Sequence, residues 1–430
     1  MRTETDLLQN LEEAKELLQK KLDETTKELE KEKYLRQSML NSQKNLILTY
    51  NGHHLLEANQ AFFEFYKIKN VEEFFEKYGE CIADTFNTNV SKGYLQKIMD
   101  EEHYIDYLRR QSDKVTRVKI SRDGEEHIFT VELTVLIVDT KDLSIITFTN
   151  ITETEKSKVL MQIQHQEIKD SVEYASMIQS AILPATVSLG KYFKEYFVTW
   201  RPKDTVGGDI WLLNDLRNEE ECLLFFIDCT GHGISGAFVT MIVKSIEKEI
   251  LSILRNKEDM EVSPAWIMGY FNKTMKTLLK QEDKDSLTNV GWDGGIIYYN
   301  KKDKLLKFAG AETPLFYMDI QGELHTVKGN RKSVGYKNCE AEYEYKETII
   351  NVEEGMKFYC TTDGYLDQTG GEKGFSFGKK RFTNIIKEYY SEPMSELQSA
   401  LMVEMMTYQD MVLDNEQRDD QTVIAFEIGS

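Results

Sequence analysis

The chain has 430 residues, more than one ordinary core holds, so we expect two or three folded units. Its 73 acidic and 53 basic residues leave a formal net charge of −20, which argues against duplex nucleic acid as a partner, because that binding rests on phosphate neutralisation by Lys and Arg. No apolar run approaches the roughly 20 residues that cross a bilayer, and the charged segment from Met1 to Lys33 lacks the apolar core of a signal peptide, so we predict a cytoplasmic protein without a membrane segment. The five cysteines are an odd number and form no Cys-x-x-Cys pair, so their spacing predicts neither a zinc site nor a disulfide framework.

Residues 1–44 are predicted to form a coiled-coil helix. The segment is charged and contains no proline or glycine, and its apolar residues recur at spacings of three, four and seven or more: Leu8, Leu11, Leu18, Leu22, Leu29 and Met39. We therefore expect a parallel homodimer. Lys15, Thr25, Glu32 and Arg36 interrupt the heptad register, so a single amphipathic helix packed on a neighbour is the alternative.

Residues 45–152 change to short apolar strands and aromatic helices. Asn45 to Tyr50 reads as a strand followed by a turn, and Leu56 to Phe63 reads as the start of a helix. Antiparallel strands with an Asp-Gly turn are predicted between Arg117 and Phe148. The Asn-Gly turn, the Ala-Asn-x-Ala-Phe helix and the closing Asn-Ile-Thr-Glu resemble a PAS domain, a family that senses small ligands or dimerises.

Four histidines lie in this PAS-like segment: His53, His54, His103 and His127. They could be invoked as haem ligands, but an isolated histidine is more often an ordinary surface or core residue. We therefore predict no cofactor for the segment.

Residues 153–184 are predicted to form one continuous helix that ends before Pro184. Its apolar positions, which include Val159, Ile163, Ile178 and Ile182, lie near one another on a helix surface. The helix would join the PAS-like segment to the remainder of the chain, either as a switch or as a plain linker.

Residues 185–430 contain four aspartates next to apolar strands. Asp228 follows the apolar run that ends at Ile227, Asp209 precedes a second strand, Asp363 follows a third, and Asp419 opens a fourth. Taken alone, Asp228 could be a metal ligand or a helix cap. Four converging carboxylates would repel one another, so the pattern indicates cations, and oxygen-only ligands suit Mg²⁺ or Mn²⁺.

The same region alternates many short strands with four helices, near residues 237–255, 263–281, 379–390 and 394–411. Such a pattern predicts two antiparallel sheets packed face to face with helices outside. The expected fold class is thus multidomain α+β, with a coiled coil, a PAS-like α/β domain, a linking helix and an α-β-β-α sandwich.

The motifs of this region resemble the metal-dependent PPM (2C-type) serine/threonine phosphatases, and among them the bacterial SpoIIE/RsbU group and its SiaA-like branch. The similarity rests on four strings in the family's order: Val206-Gly207-Gly208-Asp209, Asp228-Cys229-Thr230-Gly231-His232-Gly233, Thr362-Asp363-Gly364 and Asp419-Asp420-Gln421-Thr422. It implies that Asp209, Asp228, Asp363 and Asp419, with the backbone carbonyl of Cys229, hold two Mn²⁺ or Mg²⁺ ions at a catalytic centre.

The resemblance further implies a sensor-regulated phosphatase that acts on a small phosphorylated regulatory protein of the STAS or SiaC-like type. The roles of Arg201, Lys203, His232 and Asp420 stay open. One segment departs from the family pattern, because residues 309–314 read Ala-Gly-Ala-Glu-Thr-Pro where many relatives have Ala-Gly-His-Asn-Pro-Pro. A non-catalytic scaffold and a phosphoesterase of small molecules are the alternative functions.

Overall fold

The computed structural model describes residues 4–88, 90, 93–99, 101–111, 116–138, 141–217, 219–257, 259–283, 286–411 and 416–429. The chain divides into two compact units, residues 1–165 and residues 166–430. Among the described residues, no helix is long and apolar enough to cross a membrane.

The first unit contains a long helix, a five-stranded antiparallel sheet and short helices beside it. Its helices are α1 (Glu4–Asn41), α2 (Gln60–Tyr66), α3 (Val71–Tyr78) and α4 (Tyr104–Arg110), with a 3-10 turn at Ile82–Thr85. Its strands are β1 (Leu46–Asn51), β2 (His54–Ala58), β3 (Ile98–Met99), β4 (Glu102–His103), β5 (Thr116–Arg122), β6 (Glu125–Val138) and β7 (Lys141–Asn150). The sheet has the order β2-β1-β7-β6-β5, and one aromatic core lies between it and the helices.

One element of this unit differs from the sequence prediction. Residues 54–58 form β2, paired with β1, and the predicted helix begins only at Gln60, after the cap residue Asn59. The side chain of Asn59 explains this boundary, because its Oδ1 accepts from the backbone N–H groups of Ile47 and Phe62. It fixes the end of the strand pair and the start of the helix together.

The long helices leave many apolar side chains exposed. In α1, Leu18, Leu22, Leu29 and Met39 are exposed, whereas the side chains of Leu8 and Leu11 lie outside the described part of the chain. Helix α5 (Thr152–Ile182) begins in the first unit and ends in the second, and most of its residues between 153 and 174 are exposed.

The second unit is built from twelve described strands and five described α-helices. The strands are β8 (Glu195–Arg201), β9 (Asp209–Asp215), β10 (Glu221–Cys229), β11 (Trp292–Asn300), β12 (Leu305–Ala311), β13 (Leu315–Met318), β14 (Leu324–Val327), β15 (Thr348–Asn351), β16 (Lys357–Thr361), β17 (Thr369–Gly370), β18 (Phe375–Ser376) and β19 (Gln421–Glu427). The helices are α6 (Gly233–Asn256), α7 (Pro264–Leu278), α8 (Asp363–Asp367), α9 (Gly378–Glu388) and α10 (Met394–Asp410), with a 3-10 turn at Thr186–Lys191.

Two five-stranded antiparallel sheets, β15-β12-β11-β10-β9 and β14-β13-β16-β19-β8, form the centre of this unit. Strand β10 shows how the layers arise. Leu224 and Phe226 belong to the core shared by both sheets, while Leu223 and Phe225 pack with α6 and α7. A third core joins the second sheet to α9 and α10. Because alternate residues face opposite sides of a strand, an unbroken apolar run fills both layers.

Candidate metal centre

Three aspartates lie side by side on three neighbouring strands of the first sheet of the second unit, near the ends of those strands. Asp228 of β10 is the cross-strand partner of Asp209 in β9 and of Asp293 in β11. Neighbouring strands lie about 4.8 Å apart, so three carboxylates occupy one short row. Asp228 lies inside β10, well before α6 begins after His232, so it is not a cap of that helix.

Asp209 is the most deeply buried of the three, with 1% of its surface exposed. Its Oδ2 accepts from the hydroxyls of Thr362 at 2.8 Å and Thr422 at 2.6 Å. Its Oδ1 is buried and has no hydrogen-bond partner among the described residues. Burial is the main cause that raises the pKa of Asp209 to about 8, and the charge of Asp420 adds to it.

Asp228 meets the carboxylates of the second sheet. Its carboxyl lies within hydrogen-bonding reach of Asp363, the first residue of α8, and the charges of Asp209, Asp363 and Asp419 all act on it. Burial first, and then these charges, raise the pKa of Asp228 well above its ordinary value. The four predicted aspartates therefore converge, with Asp363 and Asp419 on the exposed side of the cluster.

Asp420 is buried, unlike its exposed neighbour Asp419, and its carboxylate binds backbone N–H groups. Its Oδ1 accepts from the backbone N–H of Lys203 at 2.7 Å, and its Oδ2 accepts from Gly208 at 2.5 Å and Asp209 at 3.4 Å. Asp420 thus holds the loop before β9, which places Asp209 beside Asp228.

The backbone around Cys229 packs closely against the same loop. The N–H of Cys229 donates to the carbonyl of Gly208 at 3.1 Å, and a Cβ at Gly208 would come within 2.7 Å of the Cys229 carbonyl oxygen. Gly231 adopts a φ of 86°, which only glycine tolerates readily in such a turn. The Cys229 thiol itself is buried, and burial raises its pKa, so the backbone of this residue is the part suited to a ligand role.

His232 lies exposed at the rim. Its Nδ1 is 2.8 Å from Oδ2 of Asp204, and its Nε2 is 3.3 Å from Nζ of Lys203. Lys203 is exposed, and Arg201 is half-buried in β8 opposite Gln421. The rim therefore carries a histidine, a lysine and a carboxylate in contact.

Asp293 is the site residue that the sequence prediction missed. Its Oδ1 is buried and without a partner among the described residues, and burial raises the pKa of its carboxyl to about 6, opposed by a hydrogen bond from Ser333. Glu312, in the segment that departs from the family pattern, is close enough for its charge to act on Asp293.

The donor set of this cluster fits hard divalent cations. All of the converging side-chain groups are carboxylates, and two buried oxygens, on Asp209 and Asp293, have no partner among the described residues. Carboxylate and carbonyl oxygens are the ligands that Mg²⁺ and Mn²⁺ prefer.

The second unit is similar to known proteins of one class. The family model for stage II sporulation protein E (SpoIIE) matches residues 218–429. The solved SiaA-PP2C domain of Pseudomonas aeruginosa is similar at 30% identity and a TM-score of 0.54, over 62% of this chain and 99% of that domain. The second unit is thus a PP2C-type serine/threonine phosphatase domain. The chain belongs to the SpoIIE family of these phosphatases, which are metal-dependent enzymes that act on phosphoproteins.

Two other solved structures are similar at lower identity. The PP2C domain and regulatory-domain fragment of SpoIIE from Bacillus subtilis is 12% identical, covering 100% of this chain and 99% of that one, with a TM-score of 0.42. The RsbU and RsbW domains of a Mycobacterium tuberculosis protein are 13% identical, covering 54% of this chain and 59% of that one, with a TM-score of 0.41. No curated protein matches the chain.

Proposed function

We propose that Asp209, Asp228, Asp363 and Asp419, with the backbone carbonyl of Cys229, hold two divalent cations, Mn²⁺ or Mg²⁺. The observation that carries this assignment is the convergence of the four carboxylates around Asp228, together with a buried Asp209 oxygen that has no partner among the described residues. A cation pair supplies neutralisation of phosphoryl charge and an acidified attacking water when bound.

The protein's own residues prepare this centre. Thr362 and Thr422 orient Asp209 by donating to one of its oxygens, and its other oxygen is left without a partner among the described residues. At the rim, Asp204 orients His232 through Nδ1 and leaves Nε2 toward Lys203. An imidazole so placed is suited to pass a proton to or from a bound phosphate ester, and a lysine beside it is suited to attract a phosphate.

Substitution of two ligands tests the centre. We expect Asp228→Asn and Asp363→Asn each to lower turnover of para-nitrophenyl phosphate with Mn²⁺ or Mg²⁺ by at least about 100-fold, because each removes a ligand charge from the cations. The matched control is Asp259→Asn, at an exposed aspartate outside the cluster. Circular dichroism checks that all three variants fold. Undiminished turnover in both ligand variants contradicts the assignment.

The substrate we propose is a phosphoserine or phosphothreonine on a small regulatory protein of the STAS or SiaC-like type. The resemblance to the SpoIIE/RsbU group supports it, and so does the exposure of Asp363, Asp419 and His232, because an open rim admits a phosphorylated side chain on a folded partner. A phosphatase domain joined to a PAS-like segment also suits signalling better than metabolism.

The substrate proposal is tested by comparing phosphoproteomes of cells that carry the wild-type chain or Asp228→Asn. We expect a phosphosite on a small regulatory protein to accumulate with the variant, and the purified wild-type protein to dephosphorylate that partner. Preference for nucleotides or other small phosphate esters over every phosphoprotein tested would contradict it.

We also propose the domain organisation 1–44 coiled coil, 45–152 PAS-like sensor, 153–184 linking helix and 185–430 phosphatase, with the helix as the switch. Contacts of its last turn with the phosphatase core support this. Gln179 is buried with 1% of its surface exposed, and its amide exchanges two hydrogen bonds with Gly207, at 2.7 and 3.1 Å. Ile182 packs on the core beside α6 and α7, whereas Ile178 is 44% exposed.

A further inference from the structure

Three segments of the first unit bring two histidines and an aspartate together. His53 lies in the turn between β1 and β2, His103 ends β4 and precedes α4, and Asp106 lies in the first turn of α4. These residues take no part in the phosphatase centre, which is built entirely from the second unit.

The three side chains are close enough together to bind one metal ion. One ligand atom from each of the three residues lies within 4.8 Å of the other two. His53 Nε2 is 2.8 Å from Asp106 Oδ2, and the rings of His53 and His103 face each other with centroids 4.2 Å apart. A fourth donor is adjacent, because Sγ of the buried Cys81 is 3.6 Å from His103 Nε2.

The chemistry of these donors selects a particular class of ion. Two imidazole nitrogens and one carboxylate oxygen are ligands that Zn²⁺ takes in four-coordinate sites, and the Cys81 sulfur lies beside one of the imidazoles. Mg²⁺ and Mn²⁺ prefer oxygen, so the two centres of the chain would divide divalent ions between them. We propose that His53, His103 and Asp106 bind a divalent transition-metal ion of the Zn²⁺ class, with Cys81 beside the fourth position.

A bound cation can replace the hydrogen bonds that His53, His103 and Asp106 now make. His53 and Asp106 are both partly exposed, so a cation between them replaces a solvent-accessible hydrogen bond. The Nδ1 atom of His103 accepts from the N–H of Ile105 at 3.4 Å, a long hydrogen bond that is given up if Nε2 becomes the ligand and Nδ1 takes the proton.

A second group with similar composition lacks this freedom. Asp319, Glu323 and His325 also place ligand atoms near one another, in the hairpin between β13 and β14. Asp319 Oδ1, however, already accepts from the backbone N–H groups of Gln321 and Glu323. These hydrogen bonds close the hairpin turn, so Asp319 has a structural role without a metal ion.

Zinc titration of the full chain tests the proposal. Zn²⁺ is added against a competing chelating dye in excess Mg²⁺, which competes for the carboxylate centre proposed in the second unit. We expect the wild-type chain to bind Zn²⁺ at one site that His53→Ala and Asp106→Asn each weaken by at least about 10-fold. Both positions are partly exposed, so these variants should remain folded.

The matched control is His54→Ala, which removes the neighbouring exposed histidine that is absent from the cluster. It should bind Zn²⁺ as the wild type does. With Co²⁺ in place of Zn²⁺, Cys81→Ser should lose the near-ultraviolet absorption of a cobalt–sulfur bond if Cys81 is the fourth ligand. Equal Zn²⁺ binding by the wild type and His53→Ala, or an equal loss in His54→Ala, would overturn the proposal.

Discussion

At the scale of single residues, the row Asp209–Asp228–Asp293 places three carboxyl groups side by side on neighbouring strands. The pKa values of all three carboxyls are raised, with burial as the first cause in each. In the absence of cations, the folded protein therefore holds protons that the unfolded chain releases at lower pH. Ionising the row without cations destabilises the fold, and cations should relieve this cost.

This linkage predicts a pH-dependent effect of metal removal. As pH rises from about 4, the ordinary range of an aspartate, toward about 8, the folded pKa of Asp209, the metal-free protein loses stability. We expect the rise in Tm caused by adding Mn²⁺ to be small at pH 5 and larger at pH 8. Thermal unfolding with EDTA or Mn²⁺ at each pH measures it, and Asp228→Asn should reduce the difference. A Tm difference that falls with pH would contradict the linkage.

The sequence predicts a candidate ligand where an aspartate stands next to an apolar strand. Asp228 follows such a run, and Asp209, Asp363 and Asp419 each adjoin a strand, so all four could be predicted as candidates. Asp293 could not, because Trp292 is the only large apolar residue beside it and two glycines follow. Only the register of β10 on β11 brings it next to Asp228, and register depends on contacts distant in sequence.

At the scale of elements, the second unit followed its sequence pattern closely. The apolar run that ends at Ile227 lies in β10, which extends to Cys229, and the helix predicted near 263–281 spans Pro264–Leu278. Apolar strands buried on both faces leave a strong signal. The hairpin β1-β2 was harder, because Leu-Glu-Ala suits a helix while pairing with β1 selects a strand, and tertiary contacts override propensity.

Helix α5 contacts the loop before β9 through Gln179. Gln179→Leu keeps the volume of the side chain but removes both hydrogen bonds to Gly207, whose loop carries Asp209. A leucine there leaves the N–H and carbonyl of Gly207 unpaired, so we expect about 10-fold lower kcat, with the folded content unchanged. The matched control is Gln164→Leu at an exposed position of the same helix, which should turn over normally.

We expect Gln179 to act on activity through the loop, so added metal should distinguish the effect of its substitution from that of a ligand substitution. If the loop positions Asp209 for a cation, raising Mn²⁺ should restore part of the lost rate in Gln179→Leu but none in Asp228→Asn. Equal rates for Gln179→Leu and Gln164→Leu would show that the contact has no role in activity.

At the scale of the whole molecule, the exposed apolar side chains of α1 indicate assembly. Leu18, Leu22 and Leu29 are 72%, 59% and 51% exposed in a single chain, and a second copy would bury them along a shared seam. We expect a dimer at micromolar concentration by light scattering, and weaker dimerisation on deletion of residues 1–40. Replacing Leu22 and Leu29 by Glu should mimic the deletion, whereas the exposed pair Glu24 and Glu28 replaced by Gln should not. A monomeric full chain would contradict the parallel dimer.

We expect contacts of α5 with the catalytic domain to control the phosphatase. The fragment 185–430 lacks Gln179 and Ile182, whereas the fragment 166–430 retains the buried amide of Gln179 and the packing of Ile182 on the core. A switch can shift activity only through its differential contacts with two states of the catalytic domain, and these are the contacts available. Ile182→Asp in the full chain should therefore alter kcat, and Ile178→Asp, at a 44% exposed position, should alter it less.

Turnover of the phosphorylated partner by the full chain and both fragments, with and without Ile182→Asp, measures this control. We expect the fragment 166–430 to differ in rate from 185–430, because only the longer one holds the Gly207 loop through Gln179. A further difference between 166–430 and the full chain would assign the remaining control to the first unit. If all three proteins turn over the partner at one rate, with and without the substitution, α5 is a tether, and the regulatory input must enter through another part of the catalytic domain.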